Sequence, residues 1–293
     1  MRPISPCFVG IVAALLASLF HTREALAEPQ VEYVQPASVA RAQRERLVFH
    51  GSQLDRPIGL WTSLPDGKLK VVAANSPAPD RCELDVELAA DCPLGIYGLR
   101  LATEDGLSRL HLFAVDDIAP RNSVAEPLTA LPVAIARAFR PAEVDRFPIS
   151  VKAGQKLSFD VISSRLGTDA DPLVTIFDPS GKRVFQRDND PGIFFDCCFE
   201  YTFSRDGVYS VEVRDSRHLG APHWQYVLRI GTFPAVHVAL PSAAAPSTKA
   251  TLRLPELGYE SLEIDVAANR SLGAAFQAVR RPSDNASNWV PIL

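Results

Sequence analysis

Apolar and polar residues alternate in short runs along most of the chain. Leu84, Val86 and Leu88 alternate with Asp85 and Glu87, and Tyr97, Leu99 and Leu101 repeat the period. Leu157, Phe159 and Val161 alternate with Ser158 and Asp160. Phe199, Tyr201 and Phe203 form an aromatic version, and Tyr209, Val211 and Val213 alternate with Ser210, Glu212 and Arg214. A period of two sends successive side chains to opposite faces, so each run predicts a strand with one buried and one wet face. Gly, Pro, Asp and Asn punctuate the runs, and 24 prolines leave little room for long helices. The pattern predicts an all-β chain of tandem β-sandwiches.

Residues 28–117 form a first module of seven or so short strands, immunoglobulin-like in their number, with Trp61 as a core anchor. Residues 118–141 read as a proline-rich connector, with a strand over 131–136. Residues 142–232 form a second, jelly-roll-like sandwich. Within it, Asp178-Pro-Ser-Gly181 has the residues of a type I turn and predicts a hairpin between flanking strands. Residues 233–293 read as a partial β repeat that packs on the second module, with a polar, mobile tail from Arg280.

The second module resembles the bacterial pre-peptidase C-terminal domain family. The residues that carry the likeness are Glu143-Val-Asp-Arg-Phe147, Lys152-Ala-Gly-Gln155, Phe159-Asp-Val161, Asp171-Pro-Leu-Val174, Asp178-Pro-Ser-Gly181, Asp206-Gly-Val-Tyr209 and Val211-Glu-Val-Arg-Asp215. The first module is similar to IPT/TIG immunoglobulin-like domains through Pro36, Gly51-Ser-Gln-Leu54 and Leu94-Gly-Ile-Tyr97. The arrangement looks like large secreted bacterial proteins of unknown function. The resemblance covers roughly residues 30–240 and implies a β-sandwich accessory module that is not itself catalytic. Arg121-Asn-Ser-Val-Ala-Glu126 departs from that family's lead-in.

The N-terminus changes the picture of compartment. Arg2 precedes an apolar run from Phe8 to Phe20, and Ala25-Leu-Ala27 supplies a small-x-small cleavage pattern. This predicts a signal peptide over residues 1–27, hence a secreted, periplasmic or cell-surface chain without a transmembrane segment after cleavage. From Glu28 onward there are 28 basic and 33 acidic residues. That mild acidity without a basic stripe argues against nucleic acid as a partner. Export makes disulfides permissible for Cys82, Cys92, Cys197 and Cys198. A Cys82–Cys92 bond requires the strand between them to be short or bulged. The vicinal Cys197-Cys198 pair on a strand predicts one buried and one exposed thiol, with a vicinal disulfide as the alternative.

The sequence carries no G-x-S-x-G elbow and no H-E-x-x-H helix, so the expectation is a chain that is not an enzyme. His218 and His223 are the only histidines near metal-ligand spacing, and a solvated loop explains them better than zinc. Asp169 and Asp171 precede one hairpin strand, Asp188 and Asp190 follow its partner, and Asp196 comes soon after. The hairpin brings 169–171 and 188–190 to one end, where oxygen ligands at alternate positions suit Ca²⁺; turn formation is the competing reason for these residues. Arg165–Asp171, Asp145–Arg146 and Arg214–Asp215 read as exposed salt bridges. His223-Trp224 and Tyr226 read either as a sugar platform or as a core edge. The chain is expected to act as a binding or structural module for a protein or polysaccharide ligand at the cell surface. The alternative is an accessory protein assisting a secreted peptidase or glycosidase.

Overall fold

A computed structural model describes residues 28–123, 126–245, 247–258, 260–266 and 275–292. The expected signal peptide lies outside the described residues. The chain is all-β, as its alternation predicts.

The first nine strands are β1 (Gln30–Gln35), β2 (Ser38–Ala40), β3 (Arg44–Ser52), β4 (Pro57–Thr62), β5 (Leu69–Ala78), β6 (Arg81–Leu88), β7 (Gly95–Thr103), β8 (Gly106–Leu107) and β9 (His111–Asp116). They form two sheets, one ordered β1-β3-β6-β5 and the other β2-β9-β7-β4, with β8 paired to β7. Alternation works here as expected. Leu84 and Val86 are fully buried, whereas Asp85 on the other face takes Arg46 Nε at 2.8 Å and Arg44 Nη2 at 3.0 Å. Trp61 departs from its expected place in the core. It lies on β4, an edge strand, with 39% of its surface exposed and the Arg100 guanidinium 5.8 Å from its ring. Pro57 and Gly59 break the regular pairing of β4 and confine it to an edge, so its large side chains are covered from one side only.

The next nine strands are β10 (Pro120–Arg121), β11 (Val133–Ala138), β12 (Asp145–Val151), β13 (Lys156–Ile162), β14 (Pro172–Phe177), β15 (Arg183–Asp188), β16 (Cys197–Thr202), β17 (Gly207–Asp215) and β18 (Gln225–Gly231). The outer sheet is ordered β12-β17-β14-β15 and the inner sheet β10-β11-β18-β13-β16. Between them Phe147, Phe159, Val174, Ile176, Tyr209, Val211, Leu228 and Ile230 form the core. The hairpin β14–β15 turns at the expected place: the Gly181 N–H donates to the Asp178 carbonyl at 2.8 Å, and Gly181 sits at φ 80°, where a side chain would strain.

The inner sheet is buried on both faces along β13 and β18 and over the first residues of β11 and β16. From β13, Leu157, Phe159 and Val161 enter the second core, while Ile162 joins the core of the first module. From β18, Tyr226, Leu228 and Ile230 point one way and Val227 the other; from β11, Val133 and Ile135 oppose Ala134 and Ala136. The small alanines let the first module approach closely, so one apolar cluster runs across both sandwiches.

Four further strands follow: β19 (Lys249–Leu254) paired with β20 (Glu260–Asp265), and β21 (Ala275–Val279) paired with β22 (Asn288–Ile292). The tail expected to be mobile from Arg280 is instead built in. Asn288 and Val290 are fully buried, and Trp289 joins the cluster of the first module. Phe276 lies edge-on to Tyr97 of β7, with ring centroids 5.8 Å apart. The C-terminal segment thus contacts the first module as well as the second.

Candidate functional site

The acidic end of the hairpin is the first place where chemistry was expected. The pairing of Leu173 with Asp188 does bring the two strand ends together. Their side chains then take separate tasks. Asp190, almost fully buried, accepts Arg187 Nε at 2.8 Å and the Cys198 N–H at 2.8 Å. Asp171 accepts the Ser216 hydroxyl, and its N–H donates to Asp215 Oδ2 at 2.8 Å. Asp169 receives Arg217 through its backbone carbonyl, at 2.5 Å, and Asp188 is exposed. Among the described residues no group of three or more His, Cys, Asp or Glu side chains is placed to hold a metal ion. The Ca²⁺ expectation for Asp169, Asp171, Asp188 and Asp190 therefore meets no gathered ligand set. The buried carboxylates here tie loops instead. Asp215 shows how: burial pushes its carboxyl up, but Arg217 and the N–H groups of Asp171, Leu219 and Arg217 outweigh this and hold it below its usual range.

The ion pairs differ from expectation in partner. Arg165 pairs with Asp160 and Asp196, not Asp171. Asp145 takes Arg137 and the Tyr226 hydroxyl, each at 2.5 Å, and Arg146 takes Glu212 at 2.7 Å. Arg214 donates to the carbonyls of Asp215 and Ser216. Trp224 is half-buried against the second core, with Arg217 5.4 Å from its ring, and Tyr226 is fully buried. That is a core edge rather than a sugar platform.

All four cysteines from Cys82 onward are buried free thiols. β6 runs unbroken for eight residues from Arg81 to Leu88, which carries the chain away from Cys82 before Cys92 is reached. Burial pushes both of these thiols up to about 11. Cys197 and Cys198 correct the expectation of one exposed thiol: they are 0% and 3% exposed, because the inner sheet is covered on both sides. Burial, first of all, raises both well above the usual thiol range.

The junction of the modules is charged. Arg229 on β18 is fully buried, with Nε 2.7 Å from Asp116 Oδ2 and Nη2 3.0 Å from Asp116 Oδ1 at the end of β9. Its Nη1 reaches Asp160 of β13 at 3.2 Å and Asn288 of β22 at 3.3 Å. The guanidinium lies between Phe233 and Trp289, 4.7 and 4.6 Å from their rings. One side chain therefore ties the first module, the second module and the C-terminal segment. Asp160 also pairs with Arg165, whose Nε meets Asp196 at 2.8 Å. Asp196 further accepts the N–H groups of Ser163, Ser164 and Arg165 at 3.0, 2.7 and 3.1 Å.

Asp190 and Asp196 bracket a loop, and their fixation sets what it displays. Between them Gly192 sits at φ 87° against Val238, Ile193 is buried, and Phe194 is left 76% exposed at φ 59°. A left-handed phenylalanine is costly and persists where surrounding contacts impose it. Here both loop ends are pinned by buried carboxylates.

Phe194 stands at the edge of a cleft of about 750 Å³, formed by the first module, this loop and the C-terminal strands. Trp61, Tyr97, Phe276 and Trp289 supply its other aromatic walls. Leu64, Ile96, Ile193, Ile264 and Val266 are aliphatic lining, and Asp66, His237, Asp265 and Gln277 are among its polar groups. The volume falls in the range of ligand clefts, roughly 300–1,000 Å³. His237 Nδ1 lies 3.0 Å from Glu256 Oε1, and Ser63 Oγ accepts the Gly98 N–H at 2.8 Å. A smaller cleft of about 400 Å³ is lined by Glu32, Tyr33, Arg109, His111 and His223, among others. Sequence reasoning missed the larger cleft because it placed Trp61 inside. The proline and glycine of β4 were the available signal that this strand is an edge.

No family model matches the chain, and no curated protein matches it. Solved structures similar to it include the pre-peptidase C-terminal domain of a collagenase from Bacillus anthracis, at 13% identity over 34% of this chain and 89% of that one, TM-score 0.27. They also include SGBP-B of a Bacteroides ovatus mixed-linkage glucan utilization locus, in complex with a heptasaccharide, at 9% identity over 69% and 74%, TM-score 0.23. The Yersinia pseudotuberculosis adhesin InvE is similar at 12% identity over 80% and 57%, TM-score 0.20.

Proposed function

We propose that this chain is a non-catalytic binding module of the cell envelope or the secreted milieu, holding its ligand in the cleft between its modules. The observation that carries this reading is the cleft itself, with the exposed rings of Trp61 and Phe194 at its margin on two different modules. Exposed aromatic side chains held in place offer large contact area at little entropic cost, which is why such residues dominate binding surfaces. The buried junction of Arg229 supports it, because a cleft shared by separate modules needs a fixed angle between them. Three polar side chains of the lining already have partners: Arg165 lies on two carboxylates, His237 lies beside Glu256, and Ser63 accepts the Gly98 N–H.

The test is a binding screen of the chain from Glu28 onward against immobilised peptides and oligosaccharides. Every ligand found is then measured against Trp61→Ala and Phe194→Ala. Both side chains are exposed, so the fold tolerates their loss. Weakening by about 10-fold or more in either variant is expected for a hot-spot aromatic. Unchanged affinity in both variants would move the site away from this cleft.

A further inference from the structure

We propose that the ligand of this cleft is an extended polypeptide segment carrying lysine or arginine beside apolar side chains; this rests on the cleft reading above and specifies its occupant. Two features of the lining point the same way. The first is the floor. Leu64, Ile96, Ile193, Ile264 and Val266 are between 2% and 9% exposed and present hydrocarbon. Such a floor accepts aliphatic side chains, whereas sugar hydroxyls set against it lose water without gaining a partner.

The second is the rim. Asp66 and Asp265 are exposed, line the same cleft from the first module and the C-terminal hairpin, and make no ion pair among the described residues. The cations of the lining do not neutralise them. Arg165 is held by Asp160 and Asp196, and His237 lies beside Glu256. Arg100 stacks on Trp61 from outside the lining. Among the described residues the lining charge that no ion pair engages is therefore negative; Lys249, the cross-strand partner of Asp265 on β19, lies outside the lining. The aromatic faces of Trp61 and Phe194 add a preference of the same sign, since ring faces attract ammonium and guanidinium groups. Apolar floor and acidic, aromatic rim together fit a chain whose hydrophobic side chains point inward while its cationic ends stay at the water boundary.

Three fluorescent probes test this on the chain from Glu28 onward: a peptide of alternating lysine and leucine, one of alternating glutamate and leucine, and a cello-oligosaccharide. The lysine peptide is expected to bind, more weakly as salt is raised, and the glutamate peptide is not. Replacing both Asp66→Asn and Asp265→Asn is expected to weaken the lysine peptide about 3- to 10-fold, in line with two rim ion pairs, and to leave the thermal melt unchanged. Equal binding of the two peptides, or no loss in the double variant, overturns the inference. Binding of the cello-oligosaccharide alone, lost in Trp61→Ala, overturns it while leaving the cleft as the site. No binding by any probe overturns both.

Discussion

The two sheets of the second sandwich share one core, yet they obey different rules. On the outer sheet, β17 alternates: Tyr209, Val211 and Val213 are buried, and Ser210, Glu212 and Arg214 remain partly exposed. On the inner sheet, β18 is buried at all seven positions and β13 at every position after Lys156. The difference is what covers the second face. Water reaches the outer face of β12 and β17, so Arg146 and Glu212 pair at the surface, while β14 of the same sheet is buried at five of its six positions. The first module and β22 cover the inner sheet, so its charges sit in a low dielectric, where each must find a partner. Arg229 and Asp160 are the result. A strand pattern therefore fixes which residues face the shared core, but only the neighbour decides whether the other face is surface or interior.

The largest expected effect comes from breaking the inner sheet's charge network. Arg229→Ala leaves Asp116 and Asp160 buried without their guanidinium, and should cost about 3–5 kcal/mol in urea denaturation. It should also let the modules melt separately; a single unchanged transition would show that the junction is held by its apolar contacts alone.

An intermediate effect concerns pH. Burial, opposed by Arg229 and reinforced by Asp117, raises Asp116 to about 6. Its folded state binds a proton more readily than the unfolded chain does. The stabilisation it contributes is complete below the unfolded value near 4 and is lost as pH rises through about 6. Comparing wild type with Asp116→Asn, the stability difference should shift in favour of wild type by on the order of 2 kcal/mol on going from pH 7 to pH 4. A difference that does not vary over this window contradicts the assignment.

The smallest effect belongs to the outer sheet. Arg146→Ala removes a pair whose arginine is 62% exposed, and should cost less than about 1 kcal/mol. A cost as large as that of Arg229→Ala would erase the distinction between the sheets.

Much of this fold was legible. Leu84 and Val86, Phe159 and Val161, and Tyr209, Val211 and Val213 all face cores as their spacing predicts. The turn at Asp178–Gly181 was readable because proline and glycine dictate its backbone. The candidate site was far less legible. Asp160 read as a wet-face residue of an alternating strand, and Asp190 and Asp196 read as metal ligands or turn formers. Their roles as buried ties depend on Arg187, Cys198, Arg165 and the backbone at 163–165, which lie up to 33 residues away in sequence. One signal was present: the run Tyr226-Val-Leu-Arg-Ile230 is apolar on both faces, the mark of a strand covered twice, and its single arginine is thereby a buried charge. Trp61 was misplaced because a tryptophan on a short strand fits either a core or an edge, and only the pairing of β4 with one neighbour separates them.

By itself, then, the sequence determined the all-β character, the strand faces that meet inside each sandwich, and the tight turn at Asp178–Gly181. These follow from period-two alternation and from the backbone preferences of glycine and proline, which act within a few residues. Tertiary structure decided the rest: which second faces are dry, which aspartates are ties, and where Trp61, Phe194, Asp66 and Asp265 converge. The physical reason is that desolvation and charge pairing are set by whatever segment comes to cover a surface. For Arg229 that segment ends in Asp116, 113 residues earlier in the chain.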